Sequence, residues 1–153
     1  MDGHSHSGSL TRTALSATLH CLTGCAVGEV LGLVIATAAG LGNASSIAVA
    51  VALAFVFGYA FSIRPVVRGG VELRRALRIV LAADTASIAA MEIFDNAIVL
   101  AVPGAMAAGL LDGVFWWSLA LGLFVAFWAA FPLNRFLIAR GRGHALAHHL
   151  HAH

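Results

Sequence analysis

Residues 47–63 read IAVAVALAFVFGYAFSI, a run without a single charged side chain. A helix needs about 20 mostly apolar residues to cross the hydrocarbon core of a bilayer, and this run approaches that length. Three further runs are mostly apolar with a few charged residues, which brings the total to four, at Ala14–Ala39, Ile47–Ile63, Leu77–Val102 and Gly113–Ile138. Because an open sheet edge is not stable in hydrocarbon, we predict an all-α bundle of four transmembrane helices.

Breakers separate the four runs, and the overall composition supports a membrane protein. The breakers are Gly40-Leu41-Gly42-Asn43, Arg64-Pro65 with Gly69-Gly70, and Pro103-Gly104, and Pro132 is expected to kink the fourth helix. Of 153 residues, 60% are hydrophobic and 10% are charged, against about 25% charged in soluble domains. We therefore divide the chain into an N-terminal tail (1–13), a transmembrane domain (14–140) and a C-terminal tail (141–153).

The positions of the arginines predict how the chain is oriented in the membrane. The chain has nine arginines and no lysine. Five lie in or beside the connection between the second and third runs, namely Arg64, Arg68, Arg74, Arg75 and Arg78. The others precede the first run or end the fourth, so all nine fall on one side of the bilayer. The positive-inside rule places that side, with both termini, in the cytoplasm. We predict a bacterial inner-membrane protein whose arginine loop contacts anionic lipids and not nucleic acid.

The first and third runs carry polar residues within the span. On the first, Cys21, Cys25 and Glu29 step by four along one stripe beside His20, and Gly24, Gly28 and Gly32 share that broad face. Small residues at this spacing allow another helix to approach closely. The third run carries Asp84, Met91, Glu92, Asp95 and Asn96. Because these two helices run in the same direction, we predict a polar seam between them, apolar helices two and four as flanks, and a parallel pseudo-repeat of two hairpins.

The residue types in the seam favour a soft metal ion as its cargo. Thiolates and thioethers bind Cu(I), and imidazole binds copper or zinc. We predict His20, Cys21, Cys25 and Met91 as copper ligands, with Asp84, Glu29, Glu92, Asp95 and Asn96 lining the path. Histidines in the two tails are candidates for metal capture: His4, His6, His144, His148, His149, His151 and His153. We predict no catalytic site and no enzyme activity.

Other interpretations of the seam stay open. Buried cysteines often act as small hydrophobic residues, and two carboxyl groups can share a proton, so the seam could serve packing alone in a structural or accessory subunit. The carboxylates could instead conduct protons or cations without any metal. A redox role for Cys21 and Cys25 is disfavoured, because cytoplasmic thiols stay reduced. One small bundle favours a homo-oligomer that meets through helices two and four.

Two long polar motifs carry a family resemblance. They are LHCLTGCAVGE at residues 19–29, and AADT at 82–85 followed by MEIFDN at 91–96. Together with Gly58-Tyr59 and the segment Pro132–Arg135, they resemble the bacterial membrane family catalogued as domain of unknown function 4396. The likeness covers roughly residues 14–142. It implies a small multi-span membrane protein, and it brings no activity with it.

Overall fold

The computed structural model describes the backbone of residues 3–140 and the side chains of residues 8–140, and this part of the chain is helical without a strand. The predicted all-α class is therefore confirmed. The long helices are α1 (Gly3–Ala38), α2 (Asn43–Arg68), α3 (Leu73–Ala101) and α4 (Gly113–Ala139), and a short 3-10 helix, Ala105–Ala107, precedes α4.

Three of the four long helices are long and apolar enough to cross a membrane. They are α1 from Gly8 onward, α2 and α4. Helix α3 has a comparable length of 29 residues but contains three arginines and three acidic residues, which separate it from the others. The chain therefore has the character of a membrane protein.

The helices extend past the predicted apolar runs at most of their ends. Helix α1 begins at Gly3 instead of near residue 14, and α2 extends to Arg68. Of the breaker region predicted between the second and third runs, Gly69-Gly70 forms the turn, whereas Arg64-Pro65 lies inside α2. Hydropathy marks the part of a helix that fits hydrocarbon, whereas the backbone hydrogen bonds continue into the polar ends.

Successive helices run antiparallel. Gly24 of α1 lies against Gly58 of α2, while Gly32, further along α1, lies against the earlier Ala50. The Tyr59 hydroxyl of α2 bonds to Thr85 of α3 at 2.8 Å. The Asn134 amide of α4 donates to the Thr18 hydroxyl of α1 at 2.9 Å, which closes the ring of four helices.

The glycine stripe of α1 packs against α2, and not against α3 as a seam between the first and third helices would suggest. A methyl group on Gly28 would overlap the backbone of Ala54, and one on Gly24 would overlap Gly58. Because these glycines carry no side chain, the two backbones come into direct van der Waals contact. The close α1–α2 pair leaves the neighbouring stripe of α1, with its cysteines and glutamate, turned toward the centre of the bundle.

The outer surface of all four helices is apolar. Exposed large hydrophobic side chains include Leu31 on α1, Val56 on α2 and Phe124 on α4, and α3 exposes Ile93 at 68% and Leu100 at 64%. The polar residues of α3 are turned the other way, since Asp84, Glu92 and Asp95 are all buried. Beyond its exposed N-terminal arginines, α3 therefore exposes mainly apolar side chains and buries its acidic ones.

Candidate functional site

The buried polar residues of α1 and α3 meet in three layers along the axis of the bundle. In chain order, Cys21 lies beside Asp84, Cys25 faces Glu92, and Glu29 faces Asp95. The order rises on both helices, so α1 and α3 run parallel, as predicted from the count of spans. We call these three layers and the polar side chains between them the central seam.

The first layer lies toward the end of the bundle that carries the arginine loop. The Cys21 thiol contacts the Ser62 hydroxyl of α2 at 3.5 Å, and Asp84 lies beside both groups. Ser87, one turn further along α3, also lies next to Cys21. This layer therefore combines a carboxyl group, a thiol and two hydroxyl groups.

The middle of the seam is closely packed. Cys21, Cys25, Ile88 and Met91 each expose 1% of their surface or less and form one core cluster with small alanines of α2 and α4. The Glu92 carboxyl lies on the far side of this cluster, where its Oε2 accepts a hydrogen bond from the Asn96 amide at 3.4 Å. Side chains fill this part of the seam.

The third layer pairs two carboxyl groups. Glu29 and Asp95 face each other, and Glu92 is close enough to affect Glu29 electrostatically. Asp95 is tightly enclosed, because a methyl group on Gly122 of α4 would overlap its carboxyl group. Glu29 Oε1, Glu92 Oε1 and Asp95 Oδ1 are all buried and have no hydrogen-bond partner within the described part of the chain.

A cavity lies at each end of the seam. The one at the arginine-loop end has a volume of about 320 Å³ and is bordered by Arg12, His20, Ser62 and Asp84. The one at the opposite end has a volume of about 290 Å³ and is bordered by Glu29, Asp95 and Asn96. The ionisable groups of the seam therefore lie in series between two cavities on opposite sides of a packed middle.

Helices two and four take part in the polar interior, which corrects their prediction as purely apolar flanks. Ser62 of α2 and Ser118 and Asn134 of α4 are buried. Sequence reasoning missed them because a single serine or asparagine in an apolar run has no periodicity to mark it. Asn134 donates a hydrogen bond to Thr18, which in turn donates to the Ala14 carbonyl at 2.7 Å. Predicting this link from the sequence would require knowing how α4 is aligned against α1.

The predicted copper ligands are only partly brought together. Cys21, Cys25 and Met91 share the core cluster, whereas His20 borders the cavity at the arginine-loop end and donates from Nδ1 to the Ser16 carbonyl at 2.6 Å. Among the residues that the structure describes, no group of three or more histidine, cysteine or acidic side chains is placed to hold a metal ion.

The predicted metal-capture histidines cannot be placed. The side chains of His4 and His6, and the whole tail that carries His144, His148, His149, His151 and His153, lie outside the described residues.

Comparison with known proteins identifies the family. The chain matches the family described as domain of unknown function (DUF4396) over residues 11–143. No curated protein and no solved structure matches it. Because the match extends over nearly the whole chain, the protein belongs to this family, as the motif resemblance predicted.

Proposed function

We propose that this protein conducts protons across a membrane along the central seam. The observation that carries the proposal is the series of ionisable groups, Asp84, Glu92, Asp95 and Glu29, between two cavities at opposite ends of the bundle. Acidic and hydrogen-bonding groups in series inside a span are typical of proton relays. The Cys21 and Cys25 thiols, with the Ser87 hydroxyl, lie between the two acidic regions.

The packed middle of the seam favours a proton over a hydrated ion. Cys21 and Cys25 are 0% and 1% exposed, and Ile88 is 0% exposed, so the space between the two cavities is filled by side chains. A proton requires only neighbouring donors and acceptors, whereas a hydrated cation requires a pore or a large rearrangement.

The proposal includes four membrane spans with both termini in the cytoplasm of a bacterium. The apolar outer face of α3 and its buried carboxyl groups support α3 as the fourth span. The five arginines in the last turns of α2 and the first turns of α3 support the orientation. They are exposed, as contact with anionic lipid headgroups requires. Reporter fusions after Arg68 and after Arg140 should both report a cytoplasmic location.

Proton flux into liposomes tests the proposal directly. The full chain is reconstituted with a pH-sensitive dye inside, and a potassium diffusion potential drives proton entry. We expect flux above that of empty liposomes, and a loss of at least about tenfold with Glu29→Gln or Glu92→Gln, because each removes one relay group. Flux that survives both substitutions, or that never exceeds the empty-liposome rate, contradicts the proposal.

Glu72→Gln is the matched control for both substitutions. Glu72 is exposed immediately before α3, outside the seam, so the same chemical change should leave flux unaltered. If Glu29→Gln and Glu92→Gln instead unfold the protein while wild type shows no flux, the seam serves packing alone, as in a structural or accessory subunit.

Binding of Cu(I) is a second candidate function, and the clustering of Cys21, Cys25 and Met91 favours it. Three sulfur atoms can hold Cu(I) without an imidazole group. Metal analysis of purified protein after loading with copper under reducing conditions tests this candidate. One copper per chain, lost in a Cys21→Ser/Cys25→Ser variant, supports it, and equal metal content in the two proteins contradicts it.

A further inference from the structure

The connection between α3 and α4 forms one wall of the cavity at the Glu29–Asp95 end of the seam. Five consecutive residues, 105–109, border this cavity, and we call them the strap. Four of the five are alanine or glycine, and none is charged. Ala105 and Ala108 are buried, at 6% and 9% exposure, so the strap lies inward against the bundle and covers the cavity on this side.

Hydrogen bonds hold the strap to its own flanks. Backbone bonds of 3.1 to 3.2 Å lie within residues 102–108, and the Gly109 N–H donates to the Asp112 carboxylate at 2.7 Å. In the part of the chain that the structure describes, no hydrogen bond joins the strap to α1 or α2 across the cavity. The strap can therefore leave the opposite wall without breaking a hydrogen bond, because only small apolar groups pack there.

The chain beyond the strap is fixed to α4. The Trp116 indole N–H donates to the Leu110 carbonyl at 2.8 Å, and Asp112, which accepts the bond from Gly109, directly precedes α4. These two bonds hold residues 110–112 on the helix. A movement of the strap would therefore pivot at Gly109 and leave α4 in place.

Glycines stand at both ends of the moving segment. Gly104 directly precedes the strap and has a φ of +83°, and Gly109 is its last residue. A Cβ at Gly104 would meet no atom within 4 Å, and one at Gly109 would lie 3.7 Å from the Asp112 carboxylate, an ordinary contact. Neither glycine is required by close packing, so their conformational freedom suits them as hinges, which absorb the backbone rotation of a moving loop.

We propose that the strap is a gate over the Glu29–Asp95 end of the proton path. It swings away from α1 and α2 about Gly104 and Gly109 and admits water to the two carboxyl groups. With the strap in place, Ala105 and Ala108 cover the cavity and slow proton exchange with the water outside. The gate rests on the proposed function in treating this cavity as one end of the path, and it regulates that function.

A reversible tether across the cavity tests the gate. Ala107→Cys on the strap and Asn43→Cys at the start of α2 place two thiols on the border of the same cavity, while the native cysteines are 0% and 1% exposed. Joining the new thiols with a short bifunctional methanethiosulfonate should lower proton flux in liposomes at least about tenfold, and reduction should restore it.

The control is the same double variant treated with methyl methanethiosulfonate, which modifies both thiols and leaves the strap free, so it should conduct as before. Mass spectrometry confirms the tether. A pair that cannot be joined contradicts the placement of the strap on this cavity. In a protein that conducts, unchanged flux after tethering overturns the gate.

Chemical modification of the carboxyl groups gives a second readout that needs no flux. A water-soluble carbodiimide with a small amine should modify Glu29 or Asp95 at least about tenfold more slowly in the tethered protein, whereas the exposed Glu72 should react at the same rate in both. Equal rates at Glu29 and Asp95 with and without the tether overturn the gate. A tether that slows modification in a protein without flux contradicts the proposed function alone, and flux that no tether alters contradicts the gate alone.

Discussion

The cavities at the two ends of the bundle differ in the charges around their carboxyl groups. At the arginine-loop end, Asp84 shares its cavity with Arg12 and His20. At the other end, Glu29 and Asp95 border a cavity with no arginine or histidine among its described lining residues. A buried carboxylate requires a cationic partner or a proton. The first end therefore has a permanently cationic group of its own, Arg12, whereas the carboxyl groups at the second end have no such partner among the lining residues and depend on protons.

The largest effect is expected where helix packing holds the acidic end together. Gly122→Ala forces Asp95 to move, because the new methyl group would occupy the place of its carboxyl group. We expect a loss of about 3 kcal/mol in the free energy of unfolding, measured by unfolding with a denaturing detergent, together with loss of flux. Gly113→Ala, where a methyl group meets nothing, is the control, and equal stability of the two variants would contradict the packing.

A lysine placed in the acidic end should make it resemble the other end. Val99 lies one turn beyond Asp95 on α3 and borders the same cavity, so Val99→Lys can bring an ammonium group to the pair. We expect proton flux in liposomes to fall about tenfold, equivalent to 1.4 kcal/mol, because the pair no longer needs a proton. Val99→Met, of similar length and without charge, should conduct normally, and a conducting lysine variant would refute the contrast between the ends.

Removing the hydrogen bond between α1 and α4 at the arginine-loop end should lower the free energy of unfolding less than the change at Gly122. Asn134→Ala removes the bond to Thr18 and leaves that hydroxyl without its donor. Hydrogen bonds between membrane helices contribute about 0.6 kcal/mol on average, and we expect a loss of about 1 kcal/mol in the same unfolding measurement. Ser45→Ala, at an exposed position, should have no effect. A loss for Asn134→Ala as large as that for Gly122→Ala would contradict the difference in stability proposed for the two ends.

The smallest effect is expected at the outer edge of the first layer. Thr85 donates to the Leu81 carbonyl, so the Tyr59 hydroxyl is the donor in the bond between them. Tyr59→Phe should cost about 0.5 kcal/mol in unfolding free energy and leave flux unchanged, because neither residue lies in the seam. Thr85→Val and the double variant complete the test. If the double variant loses as much unfolding free energy as the two single variants added together, the bond between Tyr59 and Thr85 contributes nothing.

The composition of the seam could be predicted from the sequence because ionisable residues in apolar runs stand out. The spacing of Cys21, Cys25 and Glu29 indicated one buried stripe, and the parity of spans indicated that α1 and α3 are parallel. The helix that packs against the glycine stripe of α1 could not be predicted from the sequence. Close packing on α2 depends on the small residues Ala50, Ala54 and Gly58, which are unremarkable in an apolar run.

Which side chains of the seam face each other could not be predicted from the sequence. Glu29 faces Asp95 more closely than Glu92, which lies about one turn earlier on α3. This register depends on where each helix begins, and the sequence does not define those starts to within a turn. His20 was grouped with Cys21 because they are adjacent, yet successive helical residues point about 100° apart, so His20 reaches the side cavity and not the sulfur cluster.

Proton flux in liposomes that contain Asp84→Asn or Asp95→Asn tests the central claim most directly, because these residues belong to opposite ends of the seam. If protons pass through both ends in series, either substitution alone should lower flux at least about tenfold, and the double variant should be little worse than either one. Flux that persists at the wild-type rate in either single variant would contradict a path through the seam.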